Sequence, residues 1–150
     1  SWPILDGVTD NLRTVQIIRT GPRTYEAVNA RGGRISLGEG QNSDFTPVEL
    51  LLAAMAGCSA IDVDYITSRR AEPSSFEATA AAPKLADDKG NHLGEVAIDF
   101  RVTFPDGADG DQARAMLDRA VRQSRDRLCT VSRTVQLATP VSYQIDGAEV

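Results

Sequence analysis

The chain has 150 residues, of which 41% are hydrophobic and 25% charged, and this composition predicts a single folded domain over residues 1–150 rather than a disordered or fibrous chain. The formal net charge of −5 speaks against a nucleic-acid partner, because nucleic-acid-binding proteins gather lysine and arginine on one face. Asp62 and Asp64 interrupt the longest apolar run and the N-terminus lacks a signal-peptide profile, so we expect a cytoplasmic protein with no membrane span.

The first third of the chain has the pattern of a strand meander. Segments 13–20, 24–30 and 34–40 carry β-branched and aromatic residues, and the glycine-containing turns "GPR" and "RGG" separate them. We therefore expect about three short strands, followed by the polar loop "GEGQNSDF".

A long helix follows this loop. Residues 46–49, "TPVE", form a capping box with proline at the first helical position. We expect the helix to run to about Arg70, before Pro73 ends it. Every residue of segment 50–61 except Ser59 is apolar or glycine, so this helix should be central and buried nearly all round.

The rest of the chain alternates between strand and helix patterns. Segments 75–83 and 95–104 are predicted strands, and the second alternates apolar with polar or small residues. Segment 105–112 is a predicted loop. Segment 111–128 has one apolar stripe and Asp111 as its predicted N-cap, which indicates a surface helix facing a core.

The chain closes with "CTVSRTVQL" and a last alternating strand over residues 140–146. Mixed strands and helices in this order predict an α+β domain.

The two cysteines and the single histidine are the residues whose chemistry must be judged. Cys58 lies in the middle of the apolar helix, where a free cysteine often packs as a small hydrophobic residue. Cys129 has the same structural interpretation, but it could also begin a short helical turn, where exposed N–H groups favour a thiolate. His92 lies in the turn-like "KGNHLG" without CxxC spacing or a second histidine, so we expect no metal site.

The arrangement around the cysteines is more specific than either cysteine alone. The string "TPVELLLAAMAGCSAIDV" at 46–63, with "CTVSRTV" at 129–135, resembles the OsmC/Ohr family of thiol-dependent hydroperoxide reductases, in a branch whose motif reads P-x-E-L. The resemblance covers nearly the whole chain. It implies an OsmC-like fold, with antiparallel strands wrapped around a long central helix, in an intertwined homodimer whose active sites lie at the subunit interface.

The resemblance also implies a role for particular residues. Cys58 matches the peroxidatic cysteine and Cys129 the resolving cysteine. Arg23 matches the arginine that holds the reactive thiolate, although Arg31 and Arg34 in the next turn could serve instead. The implied activity is reduction of organic hydroperoxides, alkyl or lipid, to alcohols. An external dithiol, such as one of the lipoyl type, would restore the thiols, with no metal or organic cofactor.

One position departs from the family pattern. The acidic residue that directly follows the proline in the family is Val48 here, and the nearest carboxylate, Glu49, comes one residue later. One residue along a helix is a rotation of about 100°, so Glu49 could be catalytic or could only cap the helix. Asp62, one turn after Cys58, could orient the arginine or lie in solvent.

This departure keeps two other functions open. The first is an OsmC-like protein without peroxidase activity that binds an apolar ligand or senses oxidants. The second is a structural domain in which both cysteines only fill the core, which predicts slow and unselective thiol reactivity.

Overall fold

The computed structural model describes residues 11–150 and contains α-helices and antiparallel strands, which confirms the predicted α+β class. The chain forms two compact units, one made by the chain up to Pro47 with Thr139–Val150, the other by Val48–Ala138. That residues 1–150 act as one domain stays a prediction. The N-terminal residues considered for a signal peptide lie outside the described residues.

The first unit contains the predicted strand meander. Its strands are β1 (Val15–Gly21), β2 (Thr24–Asn29) and β3 (Arg34–Leu37). They pair antiparallel in the order β1-β2-β3, with Ile17 and Ile35 on either side of Ala27. The prediction of three short strands is therefore confirmed.

The end of the chain also lies in the first unit, as the short strands β8 (Gln144–Ile145) and β9 (Ala148–Glu149). Asp146 and Gly147 join them with φ of 51° and 84°, the left-handed conformation that two-residue hairpins prefer. The predicted strand over 140–146 is wrong in extent, because this turn reverses the chain directly after Ile145.

Helix α1 spans Pro47–Thr67 and begins where the sequence predicts. It ends before Arg70, because the N–H of Arg70 returns to the carbonyl of Thr67 at 3.1 Å, a bond one residue shorter than the helical spacing. By length and composition α1 could cross a membrane, contrary to the expectation from Asp62 and Asp64. One such helix is weak evidence, since the core helix of a globular protein meets the same criteria.

One side of α1 is buried, and the other is not. The buried side consists of Met55, Ala56, Ser59, Val63 and Thr67. On the other side Ile61 is 61% exposed and Tyr65 71% exposed. The prediction that α1 is buried nearly all round is therefore wrong for the single chain, because the other elements of the second unit cover one side only.

Two antiparallel strand pairs follow α1. They are β4 (Ser75–Ala81) with β7 (Ala97–Thr103), and β5 (Lys84–Asp87) with β6 (Gly90–Leu93). The first pair confirms the predicted strands, and its Phe76 and Phe100 rings meet edge to face at 6.2 Å. The second pair was not predicted. His92 was placed in a turn but lies in β6 opposite Leu85.

Helix α2 (Ala108–Gln123) is followed by a π-helical turn (Ser124–Leu128) and by helix α3 (Thr130–Gln136). The N-cap of α2 is Gly107 with φ 118°, so the predictions of Asp111 as N-cap and of a loop over 105–112 are wrong. The helix begins earlier because Gly110 lets it pass the Pro105 carbonyl, which a Cβ would approach to 1.7 Å. Helix α3 confirms the helical turn predicted after Cys129, but nothing in the sequence predicted the π turn.

The core of the second unit lies among its helices and β7. Its fully or almost fully buried apolar members are Met55, Ala56, Val63, Val102, Ala113, Ala120 and Cys129. Cys129 is thus part of the core as well as a candidate for chemistry.

Candidate functional site

Cys129 is the N-cap of helix α3 and is 1% exposed. Its Sγ accepts a hydrogen bond from the N–H of Ser132 at 3.4 Å, and its thiol donates to the Ser132 hydroxyl at 3.3 Å. The sulfur therefore accepts the N-cap hydrogen bond that a side-chain oxygen usually accepts at this position. The start of α3 fixes where the Cys129 side chain points.

Cys58 lies on α1 beside the start of α3 and is half-buried. The Cys129 side chain and the backbone groups of Thr130 and Val131 lie close enough to its thiol to act on its ionisation. Both cysteines are free. Two thiols distant in sequence are therefore neighbours in the second unit, at the N-terminus of a helix.

The surroundings of Cys58 act on its ionisation in both directions. Burial is the largest effect and raises the pKa of the Cys58 thiol, and the Cys129 side chain raises it further. The backbone groups of Val131 and Thr130 lower the pKa, since they stabilise a thiolate, but they do not reverse the shift. In the single chain the pKa of Cys58 is above its ordinary value, so a nucleophilic Cys58 needs a further positive charge.

A chain of three polar side chains lies next to the thiols. The Ser124 hydroxyl donates to Asp62 Oδ2 at 2.9 Å and lies 2.7 Å from the Ser59 hydroxyl. Because Ser124 has only one hydroxyl hydrogen, Ser59 is the donor in the second bond. Asp62 is half-buried, and its partner is this serine. Sequence reasoning named Asp62 but missed Ser124, for which the sequence carries no signal beyond an acid on an apolar helix.

The predicted arginines lie in the first unit. Arg23, in the turn between β1 and β2, donates to Glu39 Oε1 at 3.0 Å. Arg34 pairs with Glu26, and the Arg31 N–H donates to the Asn29 side chain. Their assignment to the site stays a prediction.

Glu49 lies exposed in the first turn of α1, one residue after the exposed Val48. This position is compatible with the helix-cap role and with the catalytic role, so both remain open.

An apolar cavity of about 580 Å³ lies in the second unit. Its walls come from α1, β7, α2 and α3 and the segments next to them: Met55, Ser59, Gly94, Glu95, Val96, Ile98, Phe100, Val121, Arg125, Ser132, Val135 and Gln136. Ser59 is the chain neighbour of Cys58, and Ser132 hydrogen-bonds Cys129. The cavity thus reaches residues next to both thiols, and it is large enough for a small ligand.

Metal binding has no support in the part of the chain described. Within residues 11–150, no group of three or more histidine, cysteine, aspartate or glutamate side chains is placed to hold an ion. The His92 ring lies 3.5 Å from Asp87 across its own hairpin.

Comparison with known proteins decides the family. A family model described as OsmC-like protein matches residues 40–144. The chain belongs to the OsmC-like family. The match includes the α1 motif and both cysteines, so the predicted OsmC-like fold is confirmed, whereas the P-x-E-L branch stays a prediction.

Individual relatives agree with this membership. An uncharacterized protein of Mycobacterium tuberculosis is 29% identical over 130 residues, which cover 85% of this chain and 91% of that protein. An OsmC-like protein of unknown function from Vibrio cholerae superposes with a TM-score of 0.69 at 14% identity, covering 87% of this chain and 96% of its own. The organic hydroperoxide resistance protein OsmC of Legionella pneumophila gives 0.56 at 20% identity, covering 85% and 92%. At these identities the structures establish the fold alone.

Proposed function

We propose that this OsmC-like protein is a thiol-dependent peroxidase that reduces organic hydroperoxides to alcohols. The observation that carries the proposal is the proximity of Cys58 to Cys129, the N-cap of α3, which is close enough to act on the ionisation of Cys58. Two adjacent free thiols, one half-buried and the other buried, can act as an attacking and a resolving cysteine. The family match and the name of the Legionella relative support the same chemistry.

The reaction divides into three steps. The Cys58 thiolate attacks the terminal oxygen of the hydroperoxide, the O–O bond breaks, and the alkoxide leaves and takes a proton to become the alcohol. Cys58 is then a sulfenic acid, and the Cys129 thiol displaces its hydroxyl as water to form a disulfide. An external dithiol reduces this disulfide by exchange and is itself oxidised.

The apolar cavity favours organic hydroperoxides over hydrogen peroxide. Its apolar side chains include Ile98, Phe100 and Val121, and an apolar tail gains by leaving water for such walls. We therefore propose alkyl or lipid hydroperoxides as the substrate class.

A second copy of the chain completes the site in this proposal. Cys58, Ile61 and Tyr65 are spaced three and seven residues apart, so they lie on one side of α1. Ile61 and Tyr65 are exposed in the single chain, and the half-buried Cys58 lies at the edge of this exposed side. A homodimer that packs here would cover the apolar side chains, and an arginine, Arg23 or alternatively Arg31 or Arg34, would supply the positive charge that Cys58 needs.

The remaining parts of the proposal follow from the chemistry. The reductant is a dithiol, for example of the lipoyl type, because a second thiol on the same molecule releases the mixed disulfide. A reducing compartment such as the cytoplasm keeps both cysteines ready to react.

The test is consumption of cumene hydroperoxide with dihydrolipoamide as reductant, compared with Cys58→Ser and Cys129→Ser variants. We expect Cys58→Ser to abolish turnover. Cys129→Ser should keep a single oxidation of Cys58 but lose most turnover with the dithiol, since the sulfenic acid is then not resolved internally. A wild-type rate equal to that of Cys58→Ser would rule out the peroxidase.

The apolar cavity favours a second function, which is the binding of an apolar ligand without peroxide reduction. Cys58 has a raised pKa in the single chain, whereas the cavity requires no thiol chemistry to bind an apolar ligand. A protein that binds such a ligand without reducing peroxides should bind an apolar fluorescent probe equally well as wild type and as Cys58→Ser. Ile98→Glu should weaken this binding in both backgrounds.

A further inference from the structure

We propose that Ser124 is a positioning residue that sets how closely Cys129 approaches Cys58. The inference rests on the proposed role of the two cysteines as a redox pair. The Ser124 hydroxyl bonds to Ser59 and Asp62 rather than to a thiol. Ser124 acts by holding the two segments that carry the thiols.

The side chain of Ser124 holds α1. It accepts from Ser59 at 2.7 Å and donates to Asp62 at 2.9 Å. Ser59 directly follows Cys58, and Asp62 lies one helical turn later. The two bonds therefore fix the part of α1 that carries Cys58.

The backbone of Ser124 holds Cys129. The N–H of Cys129 donates to the Ser124 carbonyl at 3.0 Å and closes the π turn. Helix α3 starts at the next residue, with Cys129 as its N-cap. One residue thus bonds to the flanks of Cys58 through its side chain and to Cys129 through its main chain.

Water does not reach the Ser124 hydroxyl in the folded protein. Ser124 is 0% exposed, and Ser59 is buried as well. Removing the Ser124 hydroxyl would leave the Ser59 hydroxyl without its acceptor and Asp62 without this donor, a cost the segment can relieve by moving. A movement of the π turn away from α1 would carry Cys129 away from Cys58.

The experiment is the equilibrium between the protein thiols and dithiothreitol, measured without any peroxide. Oxidised dithiothreitol takes two electrons and two protons from Cys58 and Cys129, and the products are the protein disulfide and reduced dithiothreitol. The equilibrium constant reports how well the two thiols are held together. We expect Ser124→Ala to lower it about tenfold, the size expected for loss of a buried hydrogen bond.

Two further variants separate positioning from general stability. Thr67→Val removes another fully buried hydroxyl of α1, whose Oγ1 bonds the Val63 carbonyl at 3.0 Å away from the thiols. It should destabilise the fold but leave the constant within about twofold of wild type. Asp62→Asn keeps an acceptor for Ser124 and should also stay close to wild type.

The measured equilibrium constants decide whether Ser124 positions the two thiols. An unchanged constant in Ser124→Ala, or an equal fall in Thr67→Val, would overturn the positioning role. If Ser124→Ala does not fold, Ser59→Ala removes one of the same bonds and is judged by the same criterion. Wild-type protein that forms the disulfide but consumes no hydroperoxide refutes the peroxidase and leaves this inference standing. Wild-type protein that cannot form the disulfide overturns the inference itself.

Discussion

Helices α1 and α2 lie in the same unit but differ in which of their side chains are buried and which are exposed. Helix α2 buries Ala113 and Ala120 completely and turns arginine and aspartate side chains to solvent, as an amphipathic surface helix should. Helix α1 buries Val63 completely but leaves Ile61 and Tyr65 exposed. In the single chain, α2 has its apolar side buried and its charged side in water. Helix α1 is apolar on both sides, but only one of them is buried.

The difference locates the surface that a second copy should cover. Charged side chains on α2 make its outer face stable in water without a partner, whereas the exposed apolar side of α1 gains free energy from any partner that covers it. Cys58 lies at the edge of this side of α1, where it also adjoins the start of α3. In the proposed dimer, packing of the second copy and completion of the active site are therefore one event.

Ile61→Asp should have the largest effect on the exposed side of α1. A carboxylate at the centre of an apolar interface is buried without a partner, so we expect the dimer dissociation constant to rise more than about a hundredfold. Gln112→Asp adds the same charge to the exposed face of α2 and should leave the dimer intact. Sedimentation velocity measures both, and a dimeric Ile61→Asp protein would contradict the proposed interface.

Val63→Ala tests the buried side of α1. Removal of two methyl groups from a fully buried site should lower the free energy of unfolding by about 2 kcal/mol, at every protein concentration. Ile61→Ala on the opposite side should instead have an effect that depends on protein concentration, because its contacts belong to the dimer. Urea denaturation at two concentrations separates the two variants, and identical behaviour would remove the distinction between the sides.

The reactivity of Cys58 reports whether a second copy adds a positive charge near its thiol. Only the thiolate reacts, and the pKa of Cys58 is raised in the single chain, so below this pKa its alkylation rate should fall about tenfold for each pH unit. In an Ile61→Asn variant, whose uncharged polar side chain should also disrupt the dimer without adding a charge near Cys58, we expect the midpoint of this pH profile to lie above that of an ordinary cysteine. In the wild-type dimer an added arginine should move the midpoint below it. Peptide mass spectrometry after iodoacetamide treatment distinguishes Cys58 from Cys129, and equal midpoints would show that the dimer supplies no charge.

The smallest effect is expected on the outer face of α2. Asp118 and Arg122 form an exposed ion pair at 2.8 Å, one helical turn apart. Asp118→Asn should cost about 0.3 kcal/mol of unfolding free energy, and 1 M salt should abolish most of the difference. A loss several times larger would mean that this face is not simply solvated.

The sequence predicted those parts of the fold where side-chain periodicity is strong. The strands β1, β2, β3 and β7 and the start of α1 follow from alternation and from a helix cap. The β5–β6 hairpin was missed, because Lys84–Asp87 and Gly90–Leu93 lack the β-branched residues that mark strands. The exposure of Ile61 and Tyr65 was also missed, since a uniformly apolar helix does not show which side its own chain covers.

The site was predictable only in part, and for a different reason. No spacing rule brings Cys58 next to Cys129, and the resemblance to a family, rather than any local pattern, suggested the pair. Ser124 could not be predicted, because its role depends on a π turn that leaves the polar and apolar pattern of segment 111–128 almost unchanged. Hydrogen bonds between distant segments leave no periodic trace in a sequence.

The π turn has a consequence for how the chain tolerates insertions and deletions. Because it holds one residue more than an α-helical turn, deleting a residue within Ser124–Leu128 would let the helix run on in regular α geometry. The segments after it would keep nearly the same orientation about the axis of α2. If all five residues took α geometry instead, everything after them would rotate by about 100°, and Cys129 would turn away from the helix that carries Cys58. The π geometry of this five-residue segment thus accommodates an extra residue and still leaves Cys129 beside Cys58.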